Sequence, residues 1–279
     1  MKRIAGLREI AYQFDLFLVD QYGVLHDGVA AYPGAIDGLA RLVSFGRKVI
    51  LLTNSGKDAA ANLARLGTLG FATSNLHAVL SSGEVALRLV RSGALGPPFT
   101  EGADVCTIGR PGDTYAFSSD DFAPVARPQD AAFVVLAGSD APRTSPDIYR
   151  AMLTAAAQAR VPAVCINPDL VMIRDGELVA APGSIAKLYE SLGAPVEYVG
   201  KPYPAIFEHA ITTAAMGPDA RVVMIGDSPE HDVAGARAIG LSTLLVRTGI
   251  HRHLTEQQLL RFCQECNGVP DFLMTAFEW

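Results

Sequence analysis

The chain has little cysteine, no excess of positive charge, no long apolar run and no low-complexity tract. Its four cysteines, Cys106, Cys165, Cys263 and Cys266, are too few in 279 residues for a disulfide framework. Lysine and arginine number 23 against 29 aspartates and glutamates, a formal net charge of −6. Without a basic footprint, binding to nucleic acid by phosphate neutralisation is excluded, and a small-molecule substrate is expected instead. Near the amino terminus Arg8, Glu9, Gln13 and Asp15 interrupt any apolar stretch that could serve as a signal peptide or membrane span. A soluble, cytoplasmic protein with no membrane partner is the expectation. What the chain has in quantity is hydrophobic residues, 49% of the total, enough to build two moderate domains.

The apolar residues come in short runs that end on polar ones. Phe17-Leu18-Val19 delivers Asp20, and Gly23 allows a sharp turn just beyond it. Ala35 to Phe45 carries Ile36, Leu39, Leu42 and Val43 at helical spacing and stops at Gly46. Lys48 to Leu52 is a second strand, ending on Thr53-Asn54-Ser55-Gly56, and Asp58 to Leu69 is the next helix. This β-α-β-α order predicts a parallel sheet covered on both faces, in which ligands bind at the carboxyl ends of the strands.

From Ser81 to Pro195 the strand and helix pattern continues, with strands at 105–108, 132–136 and 163–166 and helices at 148–160 and 185–192. No second Asp20-like strand end occurs there. Residues 84–194 are therefore expected to form an inserted α/β domain, with 1–83 and 195–279 making the first domain. The first domain resumes with a strand at Val196 to Val199 leading to Gly200-Lys201-Pro202. A helix follows from Pro204, started by its proline. Arg221 to Ile225 then ends on Gly226-Asp227 with Asp232 close behind.

Four strand ends thus supply a carboxylate, a hydroxyl with an amide, an ammonium and two more carboxylates. Crowded carboxylates repel unless a cation joins them, and an all-oxygen donor set points to Mg²⁺. Such a set can transfer a phosphoryl group: Asp20 attacks phosphorus while Mg²⁺, Lys201 and Thr53 neutralise its oxygens. A helix amino terminus after Asn54 suits a phosphate oxygen, and Lys57 could add charge there. A separate cluster, His251, His253, Cys263 and Cys266, has the residue types of a zinc site, but the competing expectation is a loop and a helix carrying two ordinary thiols.

These motifs resemble those of the haloacid dehalogenase-like superfamily, class IIA, the group that includes NagD-type phosphatases. The resemblance covers essentially the whole chain: Asp20 opens the first motif, Thr53 with Asn54 matches the second, Lys201 the third, and the Asp227 to Asp232 spacing the fourth. It implies a doubly wound, Rossmann-like parallel-sheet core with an α/β cap of C2 type inserted between the second and third motifs. It implies that Asp20, the backbone carbonyl of Tyr22 and Asp227 ligate Mg²⁺, with Asp232 ligating or supporting them, and that the protein hydrolyses a small phosphorylated metabolite (a sugar phosphate, nucleotide, or aryl or acyl phosphate). It also implies a homodimer through the cap. Within the cap, Asn167, Asp169 and Arg174 are the expected polar contacts to substrate.

One departure stands inside the first motif. Phosphatases of this superfamily carry a second Asp two residues after the nucleophile, as acid to the leaving alcohol and base to water; here that residue is Tyr22. A positioned acid typically contributes about 10²- to 10⁴-fold in rate. The Tyr22 hydroxyl, His26 or Asp169 could replace it, or the substrate could carry a leaving group that needs no proton. A weakly active or purely binding protein is the alternative expectation. Dehalogenation at carbon, which an Asp-x-Tyr-Gly motif also resembles, is opposed by the retained Asp227 and by the place of the insertion.

Overall fold

Strand β2 (Leu16–Asp20), with β1 at Lys2–Arg3 before it, is apolar at every position but the last and fully buried, as a strand covered on both faces must be. The chain is described from a computed structural model, over residues 1–74, 76–118, 120–174 and 176–279. Helix α1 (Ala35–Ser44) follows Gly34, whose φ of 81° favours glycine, and buries Leu39 and Leu42. Strand β3 (Lys48–Thr53), helix α2 (Ala59–Thr68) and strand β4 (Ala78–Ser81) complete the first half of one sheet.

The chain then builds a second sheet. Helix α3 (Ser82–Arg91) is capped by the Ser81 hydroxyl, which accepts from the Glu84 amide. Strands β5 (Asp104–Ile108), β6 (Ala123–Pro124), β7 (Phe133–Leu136) and β8 (Ala163–Cys165) follow, with α4 (Pro146–Gln158) between the last two. A two-stranded antiparallel hairpin, β9 (Val171–Arg174) with β10 (Glu177–Ala180), leads to α5 (Pro182–Ser191) and β11 (Val196–Tyr198). Sequence patterning expects β11 in the first domain, but it pairs in parallel with β8, Val196 opposite Ala163, and closes the five-stranded order β11-β8-β7-β5-β6. Alternation within one strand does not reveal its partner, so the strand that leads to Lys201 belongs to the other sheet.

The first sheet resumes after α6 (Pro204–Ala214) with β12 (Val222–Gly226), helix α7 (Ala234–Ala238), β13 (Ser242–Val246), α8 (Glu256–Glu265) and β14 (Phe272–Met274). Its order is β1-β14-β13-β12-β2-β3-β4, so β2 is central, between β12 and β3 and parallel to both.

Two compact units result. One comprises 1–53, 59–80 and 201–279; the other comprises 54–58 and 81–200. In the first, Phe17, Val19, Val49, Leu51, Val223 and Ile225 turn one face of the sheet onto Leu7, Leu39, Leu42 and Phe277. Val233, Leu245, Leu259, Cys263 and Leu273 form a separate apolar cluster. The second unit has its own core of Val134, Leu136, Leu153, Cys165, Ile185 and Tyr189. Burying each such aliphatic or aromatic side chain is worth about 1.5–3 kcal/mol. Among the described residues no helix is long and apolar enough to cross a membrane.

Candidate active site

Parallel pairing brings three polar termini to one edge of the first sheet. Asp20 ends β2 opposite Leu52 of β3, so Thr53 lies one residue further along that edge. On the other side Ile225 pairs Val19, and β12 ends at Gly226, so Asp227 follows directly. A helical turn at Pro229–Val233 returns Asp232 to the same place, where its Oδ2 accepts the Ser228 amide at 3.0 Å.

Lys201 joins these elements. Its Nζ is 2.6 Å from Asp20 Oδ1 and 2.7 Å from Asp232 Oδ1, and the lysine is only 3% exposed. Carboxylate oxygens of Asp20, Asp227 and Asp232 lie within 4.8 Å of one another, all buried. Burial raises the Asp20 carboxyl to about 7, with Asp232 adding to the shift and Lys201 opposing it. Burial, then the neighbouring Asp20 and Asp232, pushes Asp227 well above the ordinary carboxylate range. Burial alone would depress the Lys201 ammonium, but the two carboxylates it touches hold it above its usual value.

Two glycines cradle Asp227. Gly23 and Gly249 both have positive φ, 89° and 73°, and a Cβ on either would collide with the Asp227 carboxylate. The Ile250 amide donates to Asp227 Oδ2 at 3.3 Å, and the Thr248 hydroxyl donates to the Gly23 carbonyl, tying the two glycine turns together. Ser228, Thr248 and Gly249 escape the sequence reading. The strand ending at Val246 is the signal that could have found the last two, because it delivers Thr248 and Gly249 to the same edge.

Three buried carboxylates facing one ammonium leave uncompensated negative charge, which a divalent cation with oxygen ligands would neutralise. The donor set therefore fits Mg²⁺. Both Asp232 oxygens have protein donors, Lys201 on Oδ1 and the Ser228 amide on Oδ2.

The acid that the sequence lacks is not restored by His26. Its Nδ1 accepts the Gly28 amide at 3.1 Å, the side chain is buried, and burial and then Arg65 lower its pKa to about 4. It is a neutral imidazole at pH 7. Tyr22 is half-buried with its ring edge-on to His26, centroids 5.9 Å apart. Burial, then Tyr32 and Asp27, raise its phenol, so it stays protonated at neutral pH.

The expected residues of the inserted region all lie in the second unit. Asn54 donates from Nδ2 to Asp169 Oδ1 at 2.7 Å. Asn167 Oδ1 accepts the Asp169 amide at 3.2 Å. Arg174 donates from Nη1 to the Ala141 carbonyl at 2.5 Å and from Nη2 to Ser139 at 2.9 Å. Lys57 pairs with Asp113 at 2.9 Å. These side chains brace loops of the unit that carries them. His251, His253, Cys263 and Cys266 do not converge as a ligand set: Cys263 sits in the apolar cluster around Leu259, and the His251 ring stacks 4.8 Å from Phe262.

Comparison with known proteins agrees with this geometry. Residues 17–123 match the haloacid dehalogenase-like hydrolase profile, and residues 198–268 match a HAD-hydrolase-like profile. Chronophin of Bos taurus is 31% identical, over 98% of this chain and 94% of its own. A haloacid dehalogenase-like hydrolase from Brucella suis superposes with a TM-score of 0.81 at 26% identity, covering 98% of this chain and 99% of the other. A glycerol phosphate phosphatase from Mycobacterium tuberculosis, solved with magnesium, gives a TM-score of 0.68 at 26% identity, over 86% of this chain and 70% of its own. With the carboxylate and lysine set at the strand ends and an inserted α/β unit between Thr53 and Lys201, the chain belongs to the haloacid dehalogenase-like hydrolases, class IIA.

Proposed function

We propose that the protein is a Mg²⁺-dependent phosphatase of small phosphorylated metabolites that works through an aspartyl-phosphate on Asp20. The observation that carries this reading is the buried Lys201 ammonium held between Asp20 and Asp232, with Asp227 beside them. A charge cluster of this kind costs stability and is retained for chemistry. Relatives named D-glycerol 3-phosphate phosphatase and dihydroxyacetone phosphatase support a small phosphate ester as substrate.

Asp20 supplies the electron pair that forms the new O–P bond, while the bond from phosphorus to the leaving oxygen breaks. Lys201 holds Asp20 in place and offers positive charge to the phosphoryl oxygens, and Thr53 offers its hydroxyl. Water then attacks phosphorus, breaking the bond to Asp20 and releasing phosphate. When bound, Mg²⁺ on Asp20, Asp227 and the Tyr22 carbonyl would neutralise the phosphate charge, with Asp232 anchoring Lys201 behind them. The residue that stands where the motif's acid would be is Tyr22, whose phenol, raised by burial, is a poor acid at neutral pH. Aryl and acyl phosphates, whose leaving groups need no proton, are therefore favoured over alkyl phosphates.

The test is turnover of p-nitrophenyl phosphate and glycerol 3-phosphate with Mg²⁺ by the wild type and Tyr22→Asp. The aryl ester should be the better wild-type substrate, and the new carboxyl should raise alkyl turnover by about 10²-fold while changing aryl turnover far less. An equal change on both would refute the leaving-group account. No turnover of either by protein that binds Mg²⁺ would favour the binding-protein alternative, which the loss of an acid at position 22 motivates.

A further inference from the structure

The chain passes between its two units at residues 53/54, 58/59, 80/81 and 200/201. Two of those crossings are one peptide bond from Thr53 and Lys201. On the second-unit side the crossing residues are knitted together. Ser82 donates its hydroxyl to the Ser55 carbonyl at 3.2 Å and the Ile166 carbonyl at 2.5 Å, and the Gly83 amide donates to Ser55 at 3.2 Å. Gly200 has φ 126°, and a Cβ there would lie 2.8 Å from Asn54 Oδ1, 2.8 Å from Pro168 Cδ and 3.0 Å from Ser82 Cβ. The chain segments carrying Asn54, Ser82 and Gly200 thus meet at one point, against the loop that follows β8.

Asp169 is the side chain that fastens this point. Its carboxylate accepts the Asn54 amide at 2.7 Å, and its own backbone is pinned on both sides. Its amide donates to Asn167 Oδ1 at 3.2 Å and its carbonyl accepts from Gly183 at 2.9 Å. Gly183 has no room for a Cβ, which would press 2.6 Å from the Pro168 carbonyl carbon and 2.7 Å from the Asp169 carbonyl oxygen. The β8 loop is thereby rigid where it grips Asn54, and a charge-assisted bond of this length is among the stronger side-chain bonds.

We infer that Asp169 is a positioning residue: through the Asn54 side chain it sets the backbone one bond away from Thr53, and through the packing of Asn54 on Gly200 it sets the backbone one bond away from Lys201. Its role is that of a hydrogen-bond acceptor, and it is neither the missing acid nor a substrate contact. A displacement of about 1 Å in a phosphate-binding group costs on the order of 10²-fold in rate, so a fastening at this point has leverage on turnover. The inference rests on the phosphatase reading above, in which Thr53 and Lys201 act on the phosphoryl group.

Asp169→Asn, Asp169→Ala, Asn54→Ala and the double alanine variant test it, each assayed on p-nitrophenyl phosphate and glycerol 3-phosphate. Asp169→Asn keeps an acceptor oxygen and should keep kcat within about 3-fold, while Asp169→Ala and Asn54→Ala should each lower kcat by about 10- to 100-fold. The loss should be the same factor on both substrates, because the phosphoryl end is what moves. The double variant should be no worse than the more damaging single one, as for two parts of one unit. Asp169→Asn as inactive as Asp169→Ala, different losses on the two substrates, or multiplying effects would each overturn the inference. If Asp169→Ala fails to fold, Asn54→Ala against Asp169→Asn still decides. Failure of the phosphatase reading would show separately, as a wild type without turnover.

Discussion

The two units share a plan and use it differently. Each is a mainly parallel sheet whose strands deliver loops to one edge, yet among the described residues the cluster of three buried carboxylates stands at the edge of the first. Asp20, Asp227 and Asp232 crowd around the Lys201 ammonium, and all four side chains are buried. At the corresponding edge of the second unit three of the charged groups have near neighbours as partners: Arg174 two carbonyls, Asp169 Asn54, Lys57 Asp113. A sheet edge that must do chemistry tolerates groups that repel one another, whereas an edge that must hold a shape pairs them.

The contrast can be broken most severely at Lys201. Lys201→Met should lower kcat by about 10²- to 10³-fold, as removal of one preorganised charge does. It should also leave two buried carboxylates unpaired, at a cost of about 3–5 kcal/mol in the metal-free protein, read by denaturant unfolding. Loss of activity without loss of stability would mean that the lysine is not the partner of Asp20 and Asp232 in solution.

A smaller effect, of opposite sign, is expected at Asp227. Its carboxyl has a raised folded-state pKa, so ionisation favours the unfolded chain, which binds fewer protons. The penalty is absent below the unfolded value near 4 and grows as pH rises through the folded one; Asp20, raised to about 7, behaves in the same sense. Metal-free Asp227→Asn should therefore be more stable than the metal-free wild type at pH 8 and equal to it at pH 4. Adding Mg²⁺ at 100 times its dissociation constant should stabilise the wild type by about 2.7 kcal/mol and the variant far less. A variant destabilised at pH 8 without metal would show that the carboxylates are not held in mutual repulsion.

The smallest effect belongs to the second unit. Arg174→Gln removes charge-assisted bonds to Ser139 and Ala141 and should cost about 1.5–3 kcal/mol of stability. Turnover on small substrates should change less than about 3-fold, since stability and chemistry are separate where contacts are at distant sites. A large rise in KM with stability intact would turn Arg174 back into a substrate contact.

Much of the first unit was legible in the chain itself. Phe17-Leu18-Val19, Val49 to Leu52 and Val222 to Ile225 are apolar at every position because both faces of the sheet are covered, and each run ends on the residue that it delivers to the site. The cap was harder to read. The hairpin of Val171–Arg174 with Glu177–Ala180 is short and partly exposed, so no burial pattern announces it. The pairing of β11 with β8 joins strands about thirty residues apart, which alternation cannot show. Asp169 and Arg174 have the residue types of ligand contacts, and their partners, Asn54 and the carbonyls of Ser139 and Ala141, lie far off in sequence. Tyr22 was legible as a departure; that His26 cannot replace the missing acid followed only from its burial and its bond to Gly28.

The most direct test of the charge cluster as a catalytic centre is to quench a single turnover of p-nitrophenyl phosphate in acid and map the protein by mass spectrometry, with Asp20→Asn alongside. A phosphoryl adduct on the peptide that carries Asp20, absent from the variant and chased by water into free phosphate, is the predicted result. Turnover that proceeds in the wild type with no adduct on that peptide, or that survives in Asp20→Asn, would contradict it.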